Sequence, residues 1–219
     1  MDALKFLKLD YKLTRPYLKS FLIFIALSFV FAFGMSSIFF PFGYLCFGAT
    51  ILINAPFNSE IGSTGFYEIV PGKSKTKVLG RFLYLLSFLL IITIIGAINS
   101  VLGLLSGKSI TTLDLFVLLL TLSFTIILLS IQYTLNYKFG RYKSQFINSV
   151  VKLIPAILIF GGASLLGEFV NDTETSYVNI LSFIENNLLL IILITILLTI
   201  LCFIICLSIS TKIYNEKDI

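Results

Sequence analysis

The sequence contains no histidine and no tryptophan, and only 12% of its 219 residues are charged. Without histidine the chain lacks the commonest metal ligand and the usual general base at neutral pH. A soluble domain of this length would carry about 25% charged residues, roughly twice as many. The scarcity of charge therefore argues against a water-soluble fold. The missing histidine argues against the enzyme classes that depend on it.

Cysteine is also scarce, and its positions indicate no catalytic or metal-binding role. Cys46, Cys202 and Cys206 all lie in apolar runs. An odd number of cysteines in such runs does not form a disulfide framework, and no histidine or nearby acid completes a metal site. We expect the three thiols to act as small apolar side chains. A P-loop is missing too, because Lys73-Ser74 lacks the earlier glycine and the preceding strand. The sequence therefore predicts no catalytic, cofactor-binding or metal-binding residue.

Long apolar runs dominate the chain, and 58% of its residues are hydrophobic. Runs of eighteen or more apolar residues predict membrane-spanning helices. The uncharged run 21–57 would be about 55 Å long as one helix, against a hydrocarbon core of about 30 Å. We therefore divide it into two spans near Gly34. The result is an all-α polytopic membrane protein of one domain. Its six predicted spans cover residues 20–36, 38–57, 82–105, 113–136, 146–167 and 188–210.

Lysine and arginine predict the orientation of these spans. Fifteen of the sixteen basic residues fall on one side of the six-span arrangement, and only Lys108 falls on the other. Cytoplasmic segments carry the excess of lysine and arginine in membrane proteins. Both termini and the loops 58–81 and 137–145 are therefore predicted to be cytoplasmic, and the acidic connection 168–187 to face outwards.

The first nineteen residues carry a basic stripe. Lysine and arginine recur there at intervals of three and four, at Lys5, Lys8, Lys12, Arg15 and Lys19. Apolar side chains cover the opposite arc, which Asp10 interrupts. The pattern predicts an amphipathic helix that lies in the membrane interface, with a solvated basic tail as the alternative. Pro16 is expected to bend the chain before the first span, because proline removes a backbone donor.

Residues 58–81 form the longest break between apolar runs. The part 58–70 can form a short amphipathic segment, and Pro71-Gly72 is a turn signal. The basic part is expected at the inner membrane surface, where anionic headgroups attract lysine. It contains Lys73, Lys75, Lys77 and Arg81. The segment is either a solvated loop that only fixes topology or a docking element for a cytoplasmic partner.

The residues Tyr67-Glu68-Ile69-Val70-Pro71 and the basic run that follows resemble a loop of small type-two ABC exporter permeases. In that family the loop after span 2 commonly ends in leucine-proline, a basic cluster and glycine-lysine. Here Val70 stands for the leucine and Arg81 for the final lysine. The six-span layout extends the similarity over the whole chain. In size and character the chain is similar to the membrane subunits of phenol-soluble modulin exporters.

The resemblance implies several partners. A separate cytoplasmic ATPase subunit would bind ATP and magnesium, so this chain would bind no cofactor directly. A second permease subunit, identical or homologous, would complete the pathway within the membrane lipids, and no nucleic acid is expected. The predicted contacts with the ATPase are Glu60, Phe66, Tyr67, Glu68 and Pro71.

Two polar patterns lie within the spans. Small residues at helical spacing in span 3 predict a seam for close helix packing, at Gly96, Ser100 and Gly103. Hydroxyls and amides share one face of span 4, at Thr121, Thr125, Gln132 and Asn136. This polar stripe either lines a transport pathway or serves packing, since intramembrane threonines commonly bond to their own helix. The two amides are harder to explain by packing, because bare amides are costly in lipid.

Two functions remain compatible with the sequence. The first is the permease subunit of an ABC exporter for an amphipathic or hydrophobic substrate, with short amphipathic peptides as the candidate. The second is a membrane protein without a transport cycle, either a binding or immunity protein or the substrate-capture subunit of a vitamin importer. An ATPase partner distinguishes the exporter permease from a binding or immunity protein.

Overall fold

The computed structural model describes residues 3–34, 39–59, 70–109, 114–139, 149 and 186–217. All regular structure in these residues is helical, and five of the helices are long and apolar enough to cross a membrane. The chain is thus a polytopic helical membrane protein, as predicted. Span 146–167 lies outside the described residues, so the count of six spans and the cytoplasmic termini stay predictions.

Seven helices are described, and a single turn of 3-10 helix joins the first two. This turn, Arg15–Tyr17, contains Pro16 and confirms that the proline interrupts the α-helix. The helices are α1 Ala3–Thr14, α2 Leu18–Gly34, α3 Phe39–Leu52, α4 Ala55–Ser59, α5 Ser74–Leu105, α6 Asp114–Phe139 and α7 Leu188–Lys217.

Helix α5 begins eight residues before the predicted start of span 3. Lys73 is extended, and its carbonyl accepts the first helical hydrogen bonds, from the N–H groups of Thr76 and Lys77 at 2.9 and 3.1 Å. Pro71 and Gly72 disfavour helix and lie before this start. The helix can therefore begin at Ser74, directly after them. At 1.5 Å per residue the 32 residues of α5 extend about 48 Å. The helix is longer than a hydrocarbon core, and the basic run belongs to it rather than to a loop.

Helix α5 is also the element around which the others pack. Helices α1, α2, α3 and α7 all contact it. α1 and α2 follow α5 in the same direction, since Tyr11 bonds to Ser87 and Ser28 accepts a hydrogen bond from Asn99 farther along. The N-terminal helix therefore packs on protein through one face, in addition to the basic face that it exposes.

The small-residue seam allows a close approach at Gly96. This glycine is buried, and a Cβ built there would meet the Phe42 ring of α3. Ser100 donates to the Gly96 carbonyl at 3.0 Å within its own helix, and Gly103 is buried. A side chain at position 96 would require the Phe42 ring to move.

Lys108 stands apart from the other basic residues and has a structural role. Its ammonium group donates to the carbonyl of Ala32 in the last turn of α2, at 2.5 Å. Carbonyls at a helix C-terminus lack helical partners and attract cations. The lysine predicted on the outer side therefore caps the end of α2.

Candidate functional site

The buried face of α1 is formed by Phe6, Asp10 and Thr14, which lie one helical turn apart. Phe6 packs where α5 carries Gly80, and a Cβ at Gly80 would meet the Cβ of Phe6 and, at 3.0 Å, the carbonyl of Ala3. Glycine at position 80 thus permits α1 to lie directly on the first turns of α5. The basic stripe of α1 is exposed on the opposite side, as predicted, at Lys5, Lys8, Lys12, Arg15 and Lys19.

Asp10 and Arg81 form an ion pair between α1 and α5. The Arg81 Nε and the Asp10 Oδ1 are 3.8 Å apart, with side chains 4% and 0% exposed. The sequence did not predict the burial of either residue. Asp10 lies on the buried face of α1 between Phe6 and Thr14, and Arg81 is buried opposite it. Each charge is buried against the other, which offsets part of the cost of removing both from water.

Aromatic rings from three other helices surround the two buried cations of α5. The Arg81 guanidinium lies 4.1 Å from the centre of the Phe57 ring of α4 and 5.9 Å from that of Tyr137 of α6. The Lys77 ammonium lies 5.7 Å from the centre of the Tyr214 ring of α7. Lys77 is 5% exposed, a burial that the sequence also did not predict. Cation–π attraction of this kind strengthens when the cation is desolvated.

We call this set the aromatic–basic cluster. It consists of Asp10, Phe57, Lys77, Arg81, Tyr137 and Tyr214. Edge-to-face ring contacts close it, since Phe57 and Tyr214 each lie within 5.7 Å of Tyr137. The cluster joins α1, α4, α5, α6 and α7 at one end of the bundle, the end predicted to be cytoplasmic.

Hydroxyl and amide bonds hold the helices next to the cluster. Thr14 and Tyr84 share a 2.8 Å hydrogen bond between α1 and α5. The Tyr133 hydroxyl of α6 donates to the carbonyl of Ile53 at 2.8 Å, and the Asn136 amide donates to Asn54 at 3.1 Å. Buried polar groups with specific partners fix the register of neighbouring helices. The end of α3 is therefore held to α6 just before the chain reaches Phe57.

Three residues of the predicted polar stripe of α6, Thr125, Gln132 and Asn136, are buried, and Thr121 is half-buried. Thr121 and Thr125 donate to backbone carbonyls of α6 itself, at 2.8 and 2.7 Å. Thr125 also lies beside the Cys46 thiol of α3, and Asn136 bonds to Asn54 as described. Gln132 is fully buried, with neither amide atom hydrogen-bonded within the described residues. Thr125 and Asn136 thus face α3 and the residues that directly follow it. The role of the stripe as a pathway stays a prediction.

Of the residues predicted to contact the ATPase, four lie outside the described residues and Pro71 lies within them. Glu60, Phe66, Tyr67 and Glu68 are outside the described residues. Pro71, Lys73 and Lys75 are exposed, just before and at the start of α5. Residues 60–69 are thus flanked by two described parts of the cluster, Phe57 on one side and Lys77 with Arg81 on the other.

Sequence reasoning missed the cluster residues Asp10, Phe57, Tyr137 and Tyr214. One signal was available, because tyrosine is enriched where spans meet the interface and Tyr137 and Tyr214 lie near the ends of their helices. The sequence contained no sign of the partner that each ring or charge would find.

A family model described as "ABC-2 family transporter protein" matches residues 5–215. The chain belongs to this family. No curated protein and no solved structure matches it. Membership makes the chain a membrane component of an ABC transporter, and such components associate with an ABC ATPase in which the ATPase activity lies. With its several apolar helices, this permease is a multi-pass protein of the cell membrane.

Proposed function

We propose that this ABC-2 permease works as an exporter subunit and that the aromatic–basic cluster transmits the motion of its ATPase partner. The supporting observation is the position of the cluster. Residues 60–69, the part of the predicted coupling loop 58–81 that lies outside the described residues, connect Phe57 to the first turns of α5. Arg81 of α5 contacts Phe57 directly. Residues on either side of the docking segment are therefore in contact with each other.

The contact between Arg81 and Phe57 determines which helices would move when the docking segment is displaced. When the ATPase binds ATP and shifts the docking segment, Phe57 and Arg81 move together. Arg81 carries α1 with it through Asp10, and α6 through the Tyr137 ring. Lys77 carries α7 through Tyr214. Packed groups of this kind convert a small local shift into a rigid-body movement of helices, because tightly packed interfaces do not deform continuously.

For cargo we propose amphipathic or hydrophobic molecules, with short peptides of the phenol-soluble modulin type as the candidate. The membrane-facing helices carry almost no charge. Helix α7 exposes leucine and isoleucine side chains over most of its length, from Leu189 to Ile209. A pathway built from spans of this composition would lack the groups that bind small ions or sugars tightly. Stimulation of ATP hydrolysis by such peptides in reconstituted membranes supports the proposal. Stimulation by a sugar or metal ion alone contradicts it.

For assembly we propose that two permease chains, identical or homologous, enclose the pathway. The supporting physical reason is that six helices are too few to surround a wide pore. Cross-linking and mass measurement of an active preparation test this directly. A fully active complex that contains a single permease chain contradicts the proposal.

The docking segment is tested by Phe66→Ala combined with Tyr67→Ala. Interface energy concentrates in buried aromatic anchors, so the double variant should lose ATPase capture and transport while it still inserts into the membrane. The matched control is Tyr17→Ala, which removes an exposed ring outside the segment. Capture is measured by pull-down of the ATPase, and transport in the same membranes. Normal capture and transport by the double variant would reduce 60–69 to a topological spacer.

A further inference from the structure

A second site lies beside the cluster, in a groove between the start of α5 and the end of α7. The groove has a volume of about 500 Å³. Its polar lining comprises Lys75, Ser208, Thr211, Lys212, Asn215 and Glu216. The α7 residues recur at intervals of three and four and therefore share one face of the helix. Lys75 approaches that face from the first turn of α5.

Within the part of the chain that the structure describes, the two lysines of the groove have no polar partner. Neither Lys75 nor Lys212 makes a side-chain hydrogen bond or ion pair with any of the residues described, and the same holds for Glu216. The groove thus holds two uncompensated cations and one carboxylate, a net positive charge. Two ammonium groups with neighbouring hydroxyls and an amide provide the donors that an anionic phosphate accepts.

A neighbouring tyrosine favours a position of the groove at the level of the lipid headgroups. Tyr214 of the same turns of α7 lies in the aromatic–basic cluster, and interfacial tyrosines mark the headgroup region. Towards the membrane, Leu207 also lines the groove, and Ile204 and Ile205 follow with more than half of their surface exposed. A polar groove that continues into an exposed apolar face fits a molecule with a phosphate head and acyl chains.

We propose that this groove binds an anionic phospholipid of the inner leaflet. Lys75 and Lys212 contact the phosphate, Ser208 and Asn215 donate to its remaining oxygens, and the acyl chains lie along α7. Basic pockets between transmembrane helices on the cytoplasmic side suit anionic headgroups. Glu216 opposes the phosphate and limits the affinity. A lipid bound at this site would influence the position of α5, because Lys75 is half a turn from the cluster residue Lys77.

The experiment uses the full-length permease in nanodiscs that contain a photoactivatable phosphatidylglycerol in a phosphatidylcholine background. Cross-linked peptides are located by mass spectrometry. We expect labelling at 207–216 and around Lys75. Each lysine near an anionic surface changes affinity about fivefold, so Lys75→Gln with Lys212→Gln should weaken labelling on the order of 30-fold. Glu216→Gln should strengthen it.

The matched control is Lys8→Gln with Lys12→Gln, which removes the same charge from the exposed stripe of α1. This control should leave labelling of the groove within about twofold. Equal losses of labelling in both double variants would show that surface charge in general attracts the lipid. That result would overturn the proposed site. Absence of labelling at the groove, or its full displacement by millimolar inorganic phosphate, would also overturn the lipid assignment. Unchanged thermal unfolding of the variants verifies that they fold, as expected for exposed lysines.

Discussion

The ion pair between Asp10 and Arg81 makes the most demanding prediction. Both side chains are almost completely buried, and the Nε and Oδ1 atoms are 3.8 Å apart. Removing one partner of a buried pair costs about 3–5 kcal/mol, because the other charge remains in a medium that solvates it poorly. Arg81→Met also loses the contact with Phe57, worth roughly 0.5–2 kcal/mol. We therefore expect Arg81→Met to destabilise the protein at least as much as Asp10→Leu.

The double variant Asp10→Leu with Arg81→Met separates pairing from packing. It leaves no uncompensated charge and fills the site with apolar groups of similar size, an exchange that is often neutral or stabilising. We expect it to recover most of the loss, so the two single losses of about 3–5 kcal/mol each should not add and the double-mutant cycle should give a coupling free energy of roughly 5 kcal/mol or more. The measurement is reversible unfolding of the purified permease in mixed micelles.

Arg15→Met provides the control for the arginine change itself. Arg15 is exposed on the basic stripe, and surface substitutions usually change stability by less than about 0.5 kcal/mol. Additive losses in the cycle, or an equal loss in Arg15→Met and Arg81→Met, would refute the buried pair. If the cluster transmits motion, the stable double variant should still bind the ATPase but transport more slowly.

Three further predictions address packing and orientation. Gly80→Leu should separate α1 from α5 and cost about 1–3 kcal/mol through overpacking against Phe6, whereas an unfolding curve like that of the parent protein would contradict the close approach. Gln132→Leu should be neutral or stabilising, because the buried amide has no hydrogen-bonding partner among the described residues; a loss above about 2 kcal/mol would instead indicate a bonded amide. Cysteines at positions 75 and 172 should be labelled from opposite sides of the membrane, and labelling from one side would overturn the predicted orientation.

The family assignment and the cluster together narrow the earlier alternatives. A binding or immunity protein without an ATPase partner does not fit an ABC-2 transporter chain. Coupling through 58–81 stays a prediction. The residues that flank the docking segment, Phe57, Lys77 and Arg81, contact α1, α6 and α7.

Composition and hydropathy were enough to predict the long apolar helices that the structure describes. A segment in lipid must satisfy its backbone hydrogen bonds internally, so a long apolar run forms a helix whatever surrounds it. The break at Pro71-Gly72 and the interruption at Pro16 followed from local backbone chemistry in the same way. The exposed basic face of α1 followed from helical periodicity alone.

Tertiary structure decided which charges are buried and what they touch. Asp10, Lys77 and Arg81 look like surface residues in the sequence, since isolated charges are rarely buried. Their burial depends on partners far away in the chain, as does the hydrogen bond between Tyr11 and Ser87, 76 positions apart. A glycine is needed at position 80 only because Phe6 lies against it. Hydropathy is a property of each segment alone. The pairing of buried charges and rings depends on how the helices pack, so only the tertiary structure reveals the aromatic–basic cluster.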